Sequence, residues 1–522
     1  MSYLKEYNAE FNDSSDSLYS GDTVYDEKYH GSIDDIHLMS DESKRLKVDE
    51  FAKKDSINQH NLLLKIDFHV VPPFAIVFFL AYLNRNFGLL QIEEIYSSLG
   101  ITQLQFFMSY VAFFIPYIIG QFFSNNLLRF IKPHGLLFLG VLLCGATNLG
   151  TGFVKNYRTF VGCQFLHGLF QSSTEATIFY ILAHYYSKRE SLPRFSAIYS
   201  TSCLAGVFAT FIAYIVDSKI VDKVNLTEGW RYLLIIIGAF TIGMSVIVFF
   251  TVPDFPEGAG FLTDKESVFL IRKLDIYNGK SGYEVKSTFG DIFKMIYDPV
   301  ILIPALASIG IAYVTLAYSL FQPVFVLQVI GVSVSHSNEY SIFPWITAFV
   351  WSNLGTYFYN KWSNRYRCGF FFFNVVLTII GGIMMYSVQS STLPDNLKYG
   401  GCFLCAMGAF TAAPILICWS STNLGGHLRK SVGIALQISC SSIGGLIAIF
   451  AFYDDDERYQ RGFFVGFAAI ILSVVCVVTY LLVIRWANKR KRTQKYKQEF
   501  FAKSGIQKLI LGDKNPSIDY LY

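Results

Sequence analysis

The sequence predicts an all-α membrane protein of twelve transmembrane helices in two six-helix halves. Three observations predict it. Hydrophobic residues make up 52% of the 522 residues and charged residues only 16%, too little charge to cover a soluble chain of this size. The apolar residues gather in twelve windows, each near the roughly 20 residues that a helix needs to cross a bilayer. A long polar gap divides these windows into six and six.

Taken in order, residues 1–65 read as an acidic, disordered cytoplasmic tail. The first sixty carry 14 acidic and 7 basic residues, a net charge of −7, and are rich in Ser, Asp and Tyr. No cleavable signal peptide is expected in them. The first half, 66–252, places spans near Phe68–Leu90, Leu104–Phe123, Leu136–Val154, Thr159–Tyr180, Ala197–Val216 and Leu233–Val252. A central loop, 253–298, follows. In it Thr263-Asp-Lys-Glu266 is a capping box that predicts a short surface helix from Ser267 to Leu274. The second half, 299–486, places spans near Val300–Val329, Ile342–Tyr359, Phe370–Val388, Tyr399–Trp419, Ile434–Phe452 and Phe463–Ile484. Residues 487–522 read as a second tail, opening on Lys489-Arg490-Lys491-Arg492. A basic run directly after a span suits an anionic cytoplasmic leaflet, and with no basic domain behind it no nucleic-acid partner is expected.

Orientation comes from the loops. Those after even-numbered spans carry Arg129 and Lys132, Lys188, Arg189 and Arg194, Lys361, Arg365 and Arg367, and Arg429 and Lys430. Those after odd-numbered spans carry Glu93 and Glu94, Asp217 and Asp222, Glu339, Asp395, and Asp454-Asp455-Asp456-Glu457. The positive-inside rule therefore puts both tails and the central loop in the cytoplasm; the expected location is the plasma membrane, as a multi-pass protein. The rule also puts the sequon Asn225-Leu-Thr227 outside, where Asn225 is a candidate glycosylation site.

Ionisable groups inside a bilayer cost about 2.5–3.5 kcal/mol each on insertion scales and mark candidate sites. In span 4, Gln164, His167, Gln171, Thr174 and Glu175 fall within about 100° of one helix face. This stripe either lines a wet cavity, with Glu175 and His167 passing a proton, or only bonds neighbouring helices. Arg85, near the outer end of span 1, either receives an anionic substrate or snorkels to the interface. Trp345 and Asn423, with Gln164, His167 and Gln171, complete the candidate substrate contacts, although aromatics at span ends also serve as interfacial belts. The nine cysteines sit in or beside apolar runs, and Cys402-Phe-Leu-Cys405 has no partner pair. Neither a metal nor a cofactor is expected. No nucleophile with its base and no phosphate loop is present in the sequence, so an enzyme is not expected and no catalytic residue is assigned.

Short motifs in order along residues 60–522 carry a resemblance. They are Leu83-Asn-Arg-Asn-Phe-Gly88, Asn126-Leu-Leu-Arg129 with Pro133, Glu228-Gly-Trp-Arg-Tyr232, and Phe261-Leu-Thr263 with Glu266. Further on come Asn423, Gly426-His427 and Arg429-Lys430-Ser431, then Tyr459-Gln-Arg-Gly462, and the ending Asp513-Lys-Asn-Pro516 with Tyr520-Leu-Tyr522. In these the chain resembles the major facilitator superfamily, and more narrowly the allantoate and nicotinate permease branch of the fungal anion:cation symporters. The resemblance implies the major facilitator fold, with a binding site between the halves. It implies a symporter that imports a small organic anion with protons, such as a vitamin carboxylate or a nitrogen compound, with a nicotinate-like substrate the best single choice. The chain departs from the family at Asn84, Gln164, Gln171 and Asn364, where charged residues are usual. With those charges absent, a facilitated-diffusion carrier and a non-transporting nutrient receptor on the same fold stand as alternatives. Uptake of labelled ligand separates them.

Overall fold

Helix ends follow from residues that open a helix cheaply or cannot continue one. Pro133 and Pro299 each stand first in a spanning helix, where the missing N–H has no intrahelical acceptor to lose. The computed structural model describes residues 41–86, 92–128, 130–216, 229–278, 294–330, 334–362, 367–387, 394–452, 459–502, 512–516 and 518–522, and the regular structure among them is helical. Asn225 lies outside the described residues.

In the first half the spans are Gln59–Asn86, Gln103–Leu127, Pro133–Thr151, a fourth in two pieces, Tyr157–Gln171 and Glu175–Leu182, then Ser191–Ile215 and Gly229–Thr251. In the second they are Pro299–Ile330, Val334–Trp362, Arg367–Tyr386, Asp395–Asn423, His427–Phe452 and Gln460–Lys491. Ten helices among the described residues are long and apolar enough by themselves to cross a membrane. The remaining two positions are the fourth, which is broken, and the eighth, made more polar by Ser341, Ser352, Asn353 and Thr356. At the break Ser172, Ser173 and Thr174 turn their hydroxyls back onto the carbonyls of Leu169, Phe170 and Gln171 at 2.6–2.9 Å. The same arrangement at Ser200, Thr201 and Ser202 leaves span 5 continuous, so these bonds accompany the break and do not by themselves cause it.

Spans 6, 9 and 12 present bare apolar side chains outward, among them Phe240, Phe250, Ile383, Ile471 and Leu482. Spans 7, 10 and 11 are mostly buried. Apolar outside and polar inside is the inverse of a soluble fold and is what a lipid solvent selects. At the centre of the second half, helices touch backbone to backbone. A Cβ added to Gly444 of span 11 would lie 2.1 Å from the carbonyl oxygen of Ile309 in span 7, and one on Gly310 would lie 1.9 Å from that of Ala469 in span 12. Backbone cannot swing aside as a side-chain tip does. Gly444→Ala is expected to cost about 3 kcal/mol and to lower the thermal midpoint of the detergent-solubilised protein. An unchanged midpoint would contradict this contact.

The side of the bundle that holds both tails also holds the central loop. Residues 41–54 of the expected disordered segment form a helix, Asp41–Lys54, because Val48 and Ala52, one turn apart, find apolar cover. Glu266 explains how the loop is pinned. It closes the capping box with Thr263, accepting the Thr263 amide at 2.9 Å, and pairs with Lys65 at the base of span 1 at 2.7 Å. The helix this box begins is longer than expected, Asp264–Asn278.

Candidate functional site

Span 1 brings a buried cation, Arg85, to the middle of the bundle, and the surrounding rings explain how it is held. The Arg85 guanidinium lies over the Tyr82 ring at 4.1 Å, one helical turn earlier on the same face. Arg85 is buried rather than snorkelled, and its Nε has no hydrogen-bond partner among the described residues. Across from it, Glu175 accepts a 2.5 Å hydrogen bond from the Tyr117 hydroxyl of span 2. The break at 172–174 starts a new helix at Glu175, so this acid stands in the first turn of a helix, where a negative charge is favoured.

Arg85, Glu175, Tyr82 and Tyr199 line a cavity whose other wall comes from the second half: Thr315 and Ser319 of span 7, Phe410 of span 10 and Ser441 of span 11. One cation, one acid, several rings and a hydroxyl wall therefore meet between the halves. Apolar walls with a few convergent polar groups are the usual make-up of a small-molecule site.

A second cavity lies within the first half and shares Arg85 with the first. Gln164 and His167 line it together with Asn84 and Asn148. The His167 Nδ1 bonds Asn148 Oδ1 at 2.8 Å, Asn148 donates to Asn84 Oδ1 at 2.7 Å, and Asn84 donates to Thr241 at 2.9 Å. His167 Nε2 has no partner among the described residues. Gln171 is in the lining of neither cavity and donates to the Ala81 carbonyl at 2.9 Å.

The span 4 stripe is thus divided. Glu175 lines the central cavity, while Gln164 and His167 line the inner one, and the turn at 172–174 lies between them along the span. Two other candidates lie off the central cavity. Trp345 is buried against Tyr318 and Phe410, and its indole covers Gly206 of span 5, where a Cβ would come within 2.7 Å of the ring. Asn423 spends both polar atoms elsewhere, on Tyr480 and on the backbone of Leu521. Among the described residues, then, Arg85 and Glu175 are the sequence candidates that line the central cavity.

Residues 74–449 match a family model described as Major Facilitator Superfamily, well over half of the chain. The chain belongs to the major facilitator superfamily. This transporter is 22% identical over 467 residues to the high-affinity nicotinic acid transporter of Saccharomyces cerevisiae, an alignment covering 89% of this chain and 85% of that one. It is 24% identical over 439 residues to an uncharacterized transporter of Schizosaccharomyces pombe, covering 83% and 85%. Among solved structures it is similar to the proton:xylose symporter XylE, with a TM-score of 0.59 and 14% identity over 79% of this chain and 94% of that one. A bacterial homolog of the human lysosomal transporter Spinster gives 0.52 and 14% over 79% and 96%. At that identity the structural likeness carries the fold alone. Family and relatives together make the chain a multi-pass membrane transporter and not an enzyme.

Three rings of the transporter's central site were missed from sequence. Tyr82 had a signal, its i, i+3 spacing to Arg85. Tyr117 and Tyr199 had none, because each meets Glu175 or Arg85 only through helix packing.

The two halves also meet directly on the tail side. Lys430 donates to the Ala183 carbonyl at 3.2 Å, Asn125 to the Ser431 carbonyl at 3.3 Å, and Ser196 and Ser352 share a 2.9 Å hydroxyl bond. The rings of His184 and His427 stack at 4.4 Å. The transporter is therefore closed on the side that holds its tails.

Proposed function

We propose that this transporter is a plasma-membrane proton symporter that imports a small organic carboxylate, with both tails in the cytoplasm and nicotinate the best single candidate substrate. One observation carries the reading. A buried arginine with an unpartnered Nε stands beside an aromatic ring and near a buried carboxylate, in a cavity built from both halves. Guanidinium matches carboxylate geometry, and the Tyr82 and Phe410 rings suit a flat ring attached to that carboxylate. The similarity to a nicotinic acid transporter agrees with this chemistry.

The pairing also supplies a reason for coupling. A substrate carboxylate on Arg85 adds a second negative charge close to Glu175. A proton on Glu175 relieves that repulsion, so substrate and proton favour each other's binding reciprocally. His167, in the inner cavity that shares Arg85, is the second candidate on the proton's way, and Gln164 and Gln171 are candidate polar contacts beside it.

The test is uptake of radiolabelled nicotinate in a host lacking its own carrier. Nicotinate should accumulate above the outside concentration, and a proton uncoupler should collapse the gradient. Nicotinamide, with the same ring and no carboxylate, should compete at least about tenfold more weakly, since losing one charge-assisted contact is worth about 1.5–3 kcal/mol. Equal competition by nicotinamide would remove Arg85 as the carboxylate partner. Uptake that only equilibrates would mark a facilitator, and binding without uptake a receptor. Orientation is tested separately: a protease-cleavable tag at either end should survive treatment of intact cells, and cleavage would reverse the assignment.

A further inference from the structure

We propose that the tail side of the second half is a built peptide site, occupied by residues 513–516 and 518–522 of the chain, and that these residues form a strap holding the tail side closed. The site reads main chain. Asn423, at the end of span 10, accepts from the Leu521 N–H at 2.8 Å and donates to the Leu521 carbonyl at 3.1 Å. Asn488 of span 12 does the same to Tyr520, at 2.9 and 3.0 Å. A side-chain amide presents the same donor and acceptor as a peptide group, so two buried asparagines act as a fixed strand edge for two successive residues. Trp419 adds a 2.8 Å bond from its indole N–H to the Leu521 carbonyl. Lys491, also buried, donates to the carbonyls of Asp513 and Ile518 at 2.6 and 2.8 Å and lies 3.5 Å from the centre of the Tyr520 ring.

The upstream end is held by charge. Asp513 pairs with Arg429 at 2.7 Å and accepts the Tyr520 hydroxyl at 2.7 Å. Arg429 and Lys514 both reach Asp298, just before span 7, at 3.1 and 3.0 Å. Burial alone would raise the Asp298 carboxyl, but Arg429 and Lys514 outweigh it and hold it below the usual carboxylate range.

A segment that only anchored to the second half would contact that half alone. This one reaches the seam between the halves. The Arg367 N–H donates to the Tyr522 carbonyl at 2.6 Å, and the guanidinium of the same Arg367 bonds the Lys188 carbonyl of the first half. Lys188 in turn reaches the Asp519 carbonyl at 3.5 Å. The seated strap thus braces the junction that must part when the tail side opens. Its free energy of docking adds to the tail-closed state and not to the tail-open one.

The experiment needs no substrate, so its failure is separate from failure of the symport reading. It uses the full chain in nanodiscs. Hydrogen exchange at the amides of 518–522 should be slow in the unsubstituted protein, because Asn488 and Asn423 bind two of them. Leu521→Pro removes the bound N–H while leaving every span intact, and Asn423→Ala removes the seat. Both should speed exchange at least about tenfold. A cysteine placed at the seam, Ser431→Cys, should then react with a soluble thiol reagent at least about fivefold faster when the strap carries Leu521→Pro, counted above the native cysteines. Fast exchange in the unsubstituted chain overturns the site. Slow exchange with unchanged Ser431→Cys reactivity overturns the strap.

Discussion

Glu175→Gln is expected to abolish accumulation of substrate against a gradient while leaving exchange of substrate across the membrane intact. Glu175 is buried in the central cavity, beside Arg85, with its carboxylate tied to the Tyr117 hydroxyl at 2.5 Å. A glutamine keeps the volume and the bond from Tyr117, so packing is preserved, but it cannot take up or release a proton. Net uptake coupled to a proton then has no carrier for that proton. Exchange returns the transporter loaded in both directions and needs no net proton movement. The accumulation ratio should fall to about one at saturating time, since no gradient remains to drive it. Tyr117→Phe should give a milder result, moving the pH profile of uptake without removing accumulation, because it deletes one hydrogen bond and keeps the acid. Concentrative uptake by Glu175→Gln at equal surface expression would exclude this assignment and turn attention to the inner cavity around His167.

Arg85→Gln is expected to raise the KM for nicotinate by about thirtyfold or more. Losing a buried, charge-paired partner costs about 2–5 kcal/mol in comparable contacts, and each 1.4 kcal/mol is a factor of ten. Arg85→Lys should recover part of the loss. It restores the charge but not the planar fork, nor the stacking on Tyr82 at 4.1 Å. The measurement is a concentration series of initial rates at matched expression, with the apparent affinity read apart from the maximal rate. A fall in maximal rate alone, at unchanged KM, would mean that Arg85 acts on the conformational change and not on the substrate. An unchanged KM for both variants would return Arg85 to a packing role.

The spans were legible because a bilayer imposes a simple demand on each helix separately: enough consecutive apolar residues to cross it. Windows such as Val300–Val329 and Ile434–Phe452 fall inside the helices Pro299–Ile330 and His427–Phe452 for that reason. The capping box at Thr263 was legible too, since its partners are three residues apart. The register of span 4 was less so. A helical wheel over 164–175 assumes unbroken helix, and the helix is interrupted at 172–174, where three consecutive hydroxyl residues bond back to the carbonyls three residues earlier. Their tendency to do so is visible in sequence, but the same bonds at Ser200, Thr201 and Ser202 leave span 5 continuous, so the pattern alone does not locate a break. Helix Asp41–Lys54 was hidden for a similar reason: its strongly polar composition reads as tail, and only packing at Val48 and Ala52 makes it worth ordering.

By itself, then, the sequence determined the all-helical membrane class, the order of the spans, the division into two halves and the superfamily, together with Arg85 and Glu175 as residues whose charge inside a span needs a reason. Those are properties of single segments and of local spacing. Only the tertiary structure decided that Arg85 and Glu175 share one cavity with Tyr82 and Tyr199, that His167 and Gln164 face a different one, that Trp345 packs on Gly206, and that Asn423 holds Leu521 rather than lining the central cavity. Each of those facts is a contact between residues on different helices. Hydropathy constrains how deep a residue sits in the bilayer but not which neighbour it meets, and that choice is made by close packing of whole helices, to which no single segment holds the key.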